Sequence, residues 1–214
     1  MKVSIIIPWY NELNFLNLLI ERVLKQKNIN KEIILIDDFS NDGTRNLIKN
    51  SLSKKVTKVI YNEKNYGKGY CIRKGIIEAS GEVILIQDAD LEYSPYDYEK
   101  LLKPIFEGHA DAVYGSRFKS GEITRVLYFW HSLGNKFLTL LSNMLTNFNL
   151  TDMENCYKVF KSEILKNIEL KENRFGFEPE ITAKLSKLND IRLFEVSTKY
   201  YGRTYKEGKK ITWK

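Results

Sequence analysis

A chain of 214 residues, 43% of them hydrophobic, can bury one core of ordinary to large size, which excludes a disordered chain. The net charge of +7 is uneven: residues 1–110 carry 16 Lys and Arg against 15 Asp and Glu, and residues 111–214 carry 18 against 12, so the second half should face phosphate, lipid headgroups or nucleic acid. The only cysteines, Cys71 and Cys156, lie outside any metal-ligand spacing, and no apolar run approaches the roughly 18 residues of a membrane span; a zinc site and a disulfide framework are not indicated, and a soluble or peripheral protein of a reducing cytosol is expected.

In chain order, Val3 to Ile7 is β-branched and almost wholly apolar, the pattern of a strand buried on both faces, and Pro8-Trp9-Tyr10-Asn11-Glu12 breaks it. Leu13, Leu16, Leu19, Ile20, Val23 and Leu24 recur at three and four, which predicts a helix over 13–26. A strand over 33–36 runs into Asp37-Asp38-Phe39-Ser40-Asn41-Asp42-Gly43-Thr44, dense in turn formers and helix caps. A helix to about Leu52, a strand over 56–61, a helix over 67–79, a strand over 83–86, a helix over 96–106 and a strand over 112–115 follow. Alternation of this kind predicts an α/β fold with a mainly parallel central sheet and helices on both faces.

In such sheets the ligand sits off the carboxyl ends of the strands, where Pro8 to Glu12, Asp37-Asp38, Asn65-Tyr66-Gly67-Lys68-Gly69, Asp88-Ala89-Asp90 and Ser116-Arg117 all fall. Asp88 and Asp90, one residue apart where a buried strand emerges, can point at one Mg²⁺ or Mn²⁺ while leaving most of its coordination to water and substrate phosphate, which suggests a nucleotide-diphosphate substrate. Taken singly, each residue has a plainer role: a cap for Asp38, turn glycines in Gly67 and Gly69, surface charge for Arg73 and Arg117. Their convergence on one rim is what argues for a site.

The five segments, in this order, resemble the family 2 glycosyltransferases of GT-A fold across nearly the whole chain, and most of all those that move a sugar from a nucleotide diphosphate to a polyprenyl (dolichol-type) phosphate. The resemblance implies a single catalytic domain, with residues 1–118 as its nucleotide-sugar half and 119–214 as its acceptor half. It implies that Pro8, Tyr10, Glu12, Asp37 and Asp38 line the nucleoside pocket, that Lys68 and Arg73 lie near the nucleotide, and that Asp88, Ala89 and Asp90 carry the metal and diphosphate. A hexose from a UDP- or GDP-linked donor would transfer with inversion, the metal neutralising the leaving diphosphate.

For a hydroxyl acceptor, as in bacterial surface-polysaccharide transferases, Asp152 or Glu154 is the expected base. For a phosphate acceptor, already ionised, the cations Arg117, Arg125, Lys158 and Arg203 are expected instead, with His131 standing where relatives have a further Arg. Around His131, residues 126–148 form an apolar stripe at helical spacing, open to packing within the domain or on a partner, or to lying at the inner face of a membrane. A dehydrogenase would need Gly-x-Gly-x-x-Gly after the first strand, and a Walker loop is absent. A non-catalytic nucleotide-sugar or nucleic-acid binder, stacking bases on Tyr200, Tyr201, Tyr205 and Trp213, is the competing class; the intact Asp-x-Asp favours an enzyme with no nucleic-acid partner.

Overall fold

The computed structural model describes residues 1–204; Tyr205 and Trp213 lie outside the described residues. Seven strands form one sheet: β1 Val3–Trp9, β2 Lys31–Asp37, β3 Lys58–Tyr61, β4 Val83–Ile86, β5 Ala112–Ser116, β6 Lys158–Lys161 and β7 Leu193–Ser197. Their spatial order is β3-β2-β1-β4-β6-β5-β7, all parallel except β6, which runs antiparallel between β4 and β5.

Alternation along β1 explains the two-layer burial. Ile5 and Ile7 face α1 (Leu16–Leu24) and α4 (Tyr98–Phe106), while Ile6 faces α3 (Lys68–Glu78) and α7 (Phe177–Leu185), and all three are fully buried. Each such side chain contributes about 1.5–3 kcal/mol by leaving water, so the centre of the sheet anchors the loops that follow it. The predicted helix to Leu52 is shorter in α-helical form: α2 (Thr44–Leu47) passes into a π-helical turn over Ile48–Leu52, and β3 begins at Lys58. Two short elements the periodicity did not predict, β6 and β7, and the helices α6 (Ser162–Lys166) and α7 complete the second half.

The apolar stripe becomes α5 (Phe129–Thr146), and it is inside-out. Its polar residues Asn135, Thr139 and Asn143 face the protein, bonding Asp152, Met153 and Leu150, whereas Phe129, Trp130, Leu133, Phe137, Leu140, Leu141, Met144 and Leu145 are exposed. Of the stripe, Leu127 and Phe148 pack against the core of the domain, while the apolar residues named within α5 do not. No helix among the described residues is long and apolar enough to cross a membrane.

Candidate active site

The loops after β1, β2 and β4 meet at the carboxyl edge of the sheet, where β1 is flanked by β2 and β4, the switch point at which such folds bind ligands. Loop β1 and loop β2 are clasped: Asn11 and Asn41 exchange side-chain and backbone bonds at 2.9 and 3.0 Å, and Leu13 N donates to Asp42 at 3.0 Å. Each of the three loops holds one non-glycine residue at positive φ, Asn11 (52°), Phe39 (69°) and Leu91 (62°). For Phe and Leu this costs on the order of 1–2 kcal/mol, strain that a packed site must hold in place.

Asp90 is the least neutralised carboxylate of the group. It accepts Glu92 N at 3.1 Å and meets Arg203 Nη2 at 3.2 Å. Burial, then the charges of Asp88 and Glu92, push its carboxyl up to about 7, against the opposing pull of Arg203. Arg203 lies among three acids, 3.4 Å from Glu12 and 3.5 Å from Glu92. Asp88 is held by Lys68 Nζ at 2.9 Å, and Lys68 reaches on to Glu178 at the same distance. Burial opposes the Lys68 charge, but Asp88, Cys156 and Glu178 outweigh it and raise the ammonium well above its usual pKa.

Among the described residues no three acidic, His or Cys groups make a closed metal cage. Asp88 and Asp90 nevertheless suit Mg²⁺ or Mn²⁺: both are hard oxygen donors, both border a surplus of negative charge, and each is now met by a side-chain cation at 2.9–3.2 Å. Two carboxylates with phosphate oxygens are an ordinary shell for these ions.

Several expected roles change once contacts are visible. Asp37 is fully buried and spent on Ser40 N (3.0 Å) and the guanidinium of Arg45, which in turn donates to Asn62 O; it holds the loop and faces no ligand. Asp38 gives both oxygens to the neighbouring loop, accepting from Tyr66 N (2.8 Å), Gly67 N (2.7 Å) and Asn62 Nδ2 (3.0 Å). A carboxylate has about four acceptor positions, so roughly one is left for a base N–H. Pro8 is buried within β1, and Ala89 is buried between the two aspartates, while Tyr10 is 39% exposed and Glu12 is buried beside Arg203.

Arg73 is half-buried and binds Glu172 O and Asn173 Oδ1 rather than either aspartate. Gly67, at φ +106°, lets this same 172–174 loop close in, since a Cβ there would lie 2.5 Å from Asn173 O. Lys158 is fully buried, its Nζ donating to Met153 O (2.9 Å) and Asn155 O (2.5 Å), so it is no acceptor-phosphate cation.

Asp152 likewise cannot act as a base. It receives five hydrogen bonds, from Arg117 N, Nε and Nη2, Asn135 and Asn155, at 2.6–3.1 Å. Burial alone would raise its pKa, but Arg117 holds it below the usual carboxylate range. Glu154 differs: burial, then Glu178, raise it. Of the two acids, Glu154 is the one whose carboxyl holds a proton more tightly than usual.

Three arginines lie along the segment that carries Tyr200, the Arg125 guanidinium on Gly202 O at 2.8 Å. Arg117 lies 5.3 Å from the Tyr200 ring, Arg125 N donates to Tyr200 O at 2.8 Å, and Arg203 follows three residues later. Arg117 Nη1 donates to none of the described residues. A cavity of about 150 Å³ is lined by Arg125, Tyr128, Tyr200 and Arg203, and His131 stands beside Tyr128, ring centroids 5.8 Å apart. Glu92, which fixes both Tyr200 Oη (2.9 Å) and Arg203 N (2.8 Å), was missed in the sequence although it stands two residues beyond Asp90. Glu178 was missed because nothing local marks a partner 110 positions from Lys68.

Comparison with known proteins places the fold and the family. Residues 4–169 match the family described as glycosyl transferase family 2. The chain is 31% identical over 99% of its length to a dolichol-phosphate mannosyltransferase of Pyrococcus furiosus, and 28% identical over 94% to glycosyltransferase AglJ of Haloferax volcanii. It spans only 61% and 63% of the length of those two relatives. Half of it is 39% identical to an undecaprenyl-phosphate 4-deoxy-4-formamido-L-arabinose transferase of Pectobacterium atrosepticum, covering 35% of that protein. In fold it resembles glucosyl-3-phosphoglycerate synthase of Mycobacterium tuberculosis, solved with Mn²⁺, UDP and phosphoglyceric acid, with a TM-score of 0.74 at 16% identity over 96% of this chain and 72% of that one. This chain belongs to the family 2 glycosyltransferases.

Proposed function

We propose that this chain transfers a hexose, with inversion, from a UDP- or GDP-linked donor to a polyprenyl phosphate. The observation that carries the reading is the cavity lined by Arg125, Tyr128, Tyr200 and Arg203, with Arg117 against the Tyr200 ring, Asp90 beside Arg203, and α5 joined to Arg117 through Asn135. A lipid phosphate needs cations rather than a strong base, and Arg offers paired donors to phosphate oxygens. Two relatives of this chain are named for transfer involving dolichol phosphate or undecaprenyl phosphate.

Asp88 and Asp90 would hold Mg²⁺ or Mn²⁺, which supplies Lewis-acid neutralisation of the departing diphosphate. Arg203 then has a second task, since the guanidinium that faces Asp90 becomes available to phosphate oxygens beside it. Asp38 offers its remaining acceptor position to the nucleobase. The inside-out α5, with Lys136 as its sole charged residue, would lie along the inner face of the membrane with its aromatics at headgroup level and bring the lipid end of the acceptor alongside.

Glu154 favours a second reading, in which a glycan hydroxyl is the acceptor and Glu154 its base. Release of nucleoside diphosphate from UDP- and GDP-sugars, with and without a short-chain polyprenyl phosphate, separates the two. Release that rises only with the lipid supports the first reading; release indifferent to that lipid but raised by a glycan contradicts it.

A further inference from the structure

Glu178, the second residue of α7, is 4% exposed, and its two oxygens are treated very differently. Oε1 accepts from Lys68 Nζ at 2.9 Å; Oε2 is buried with no donor among the described residues. An unmet buried acceptor is costly, more so when charged, and Lys68 already has Asp88 as a counter-charge at 2.9 Å. Anchoring Lys68 therefore does not account for Glu178.

Its surroundings indicate what would meet Oε2. Lys68 stands between Asp88 and Glu178, so their contacting oxygens are within about 6 Å of each other, 2.9 Å on either side of one nitrogen. Glu154 lies near enough that Glu178 raises its carboxyl, and the backbone on either side of Glu154 is fixed by buried Lys158 through Met153 O and Asn155 O. These carboxylates, bordered by the ammoniums of Lys68 and Lys158 and beside the group expected to carry the diphosphate, offer acceptors to a neutral polyol, whose hydroxyl donates to a carboxylate in a short, charge-assisted bond.

Resting on the donor reading above, we propose that Glu178 is a specificity-determining residue that accepts a hydrogen bond, through Oε2, from one hydroxyl of the donor hexose. The test compares wild type and Glu178→Gln on the donor turned over fastest and on its 3-, 4- and 6-deoxy analogues. Wild type should lose at least about 10-fold in kcat/KM on one analogue, and the variant less than about 3-fold on the same one, because a site built for a hydroxyl rejects its absence only while the acceptor is there. Affinity for the free nucleoside diphosphate should be unchanged. An equal loss on every donor, or weakened binding of the free diphosphate, would overturn the proposal and leave Glu178 as a support for Lys68. If the Gln variant does not fold, Glu178→Asp keeps the charge while withdrawing the oxygens, and should lose selectivity at the same hydroxyl. Failure of wild type to release diphosphate from any donor would instead remove the transferase reading, and this assignment with it.

Discussion

The two ends of the central sheet each hold a carboxylate shielded from water, fully at Glu32 and partly at Asp90, and they treat it in opposite ways. At the amino end Glu32 is 5% exposed and takes five hydrogen bonds, from Lys2, Ser4, both donors of Ser80, and Gly81 N. Burial alone would raise its carboxyl, yet those donors hold it down at about 2. At the carboxyl end Asp90 has one amide and one guanidinium contact, and burial with its acidic neighbours pushes it up to about 7. A satisfied carboxylate fixes structure; an undersatisfied one awaits a partner. Asp152 shows that position alone does not decide, since it lies among the acceptor-side residues and is as fully spent as Glu32.

The contrast orders what substitutions should do. Asp90→Ala should abolish transfer, by roughly 10³-fold or more if the residue holds a catalytic metal, while relieving crowded negative charge and leaving the melting midpoint within a few degrees. Turnover at the wild-type rate would refute the metal assignment. Asp152→Ala should do the reverse in kind: it strands Arg117 in a buried pocket and should cost about 3–5 kcal/mol in denaturant unfolding. A loss below 1 kcal/mol would show that the pair is not a structural support.

Glu32→Gln should cost less, about 1–3 kcal/mol, with kcat/KM unchanged, because two of its acceptor positions become donors facing Lys2 and Ser80. The folded carboxyl lies below its unfolded value, so the unfolded chain binds the extra proton, and stability is present above about pH 4.5 and lost as the pH falls towards 2. Unfolding measured across that interval should show the slope in wild type and a smaller one in the Gln variant. The smallest effect is expected at Arg73→Ala: an exposed contact to the 172–174 loop should be worth under about 1 kcal/mol, with donor affinity unaltered.

Much of the site was legible because local rules produced it. Apolar runs ending in Asp, Asn and Gly predicted strands that stop at loops, and a parallel sheet brings such loops to one rim. What was not legible depends on distant partners. Lys158 reads as an available cation until β6 carries it into the core, and Asp152 reads as a base until Arg117, 35 residues earlier, fills its lone pairs. The short β6, Lys-Val-Phe-Lys, has charge at both ends and no detectable alternation, so its antiparallel place between β4 and β5 is a tertiary outcome. The direction of the α5 stripe was equally hidden, since periodicity gives a helix two faces without saying which one turns inward.

Calorimetric titration of UDP and GDP into the wild-type protein, with Mn²⁺ and again with EDTA, tests the central contrast directly. The account predicts that one nucleotide binds at least about 10-fold more tightly with Mn²⁺, and that Asp90→Ala removes the difference while Glu32→Gln keeps it. Equal affinity in Mn²⁺ and EDTA, or a metal effect that survives Asp90→Ala, would contradict it.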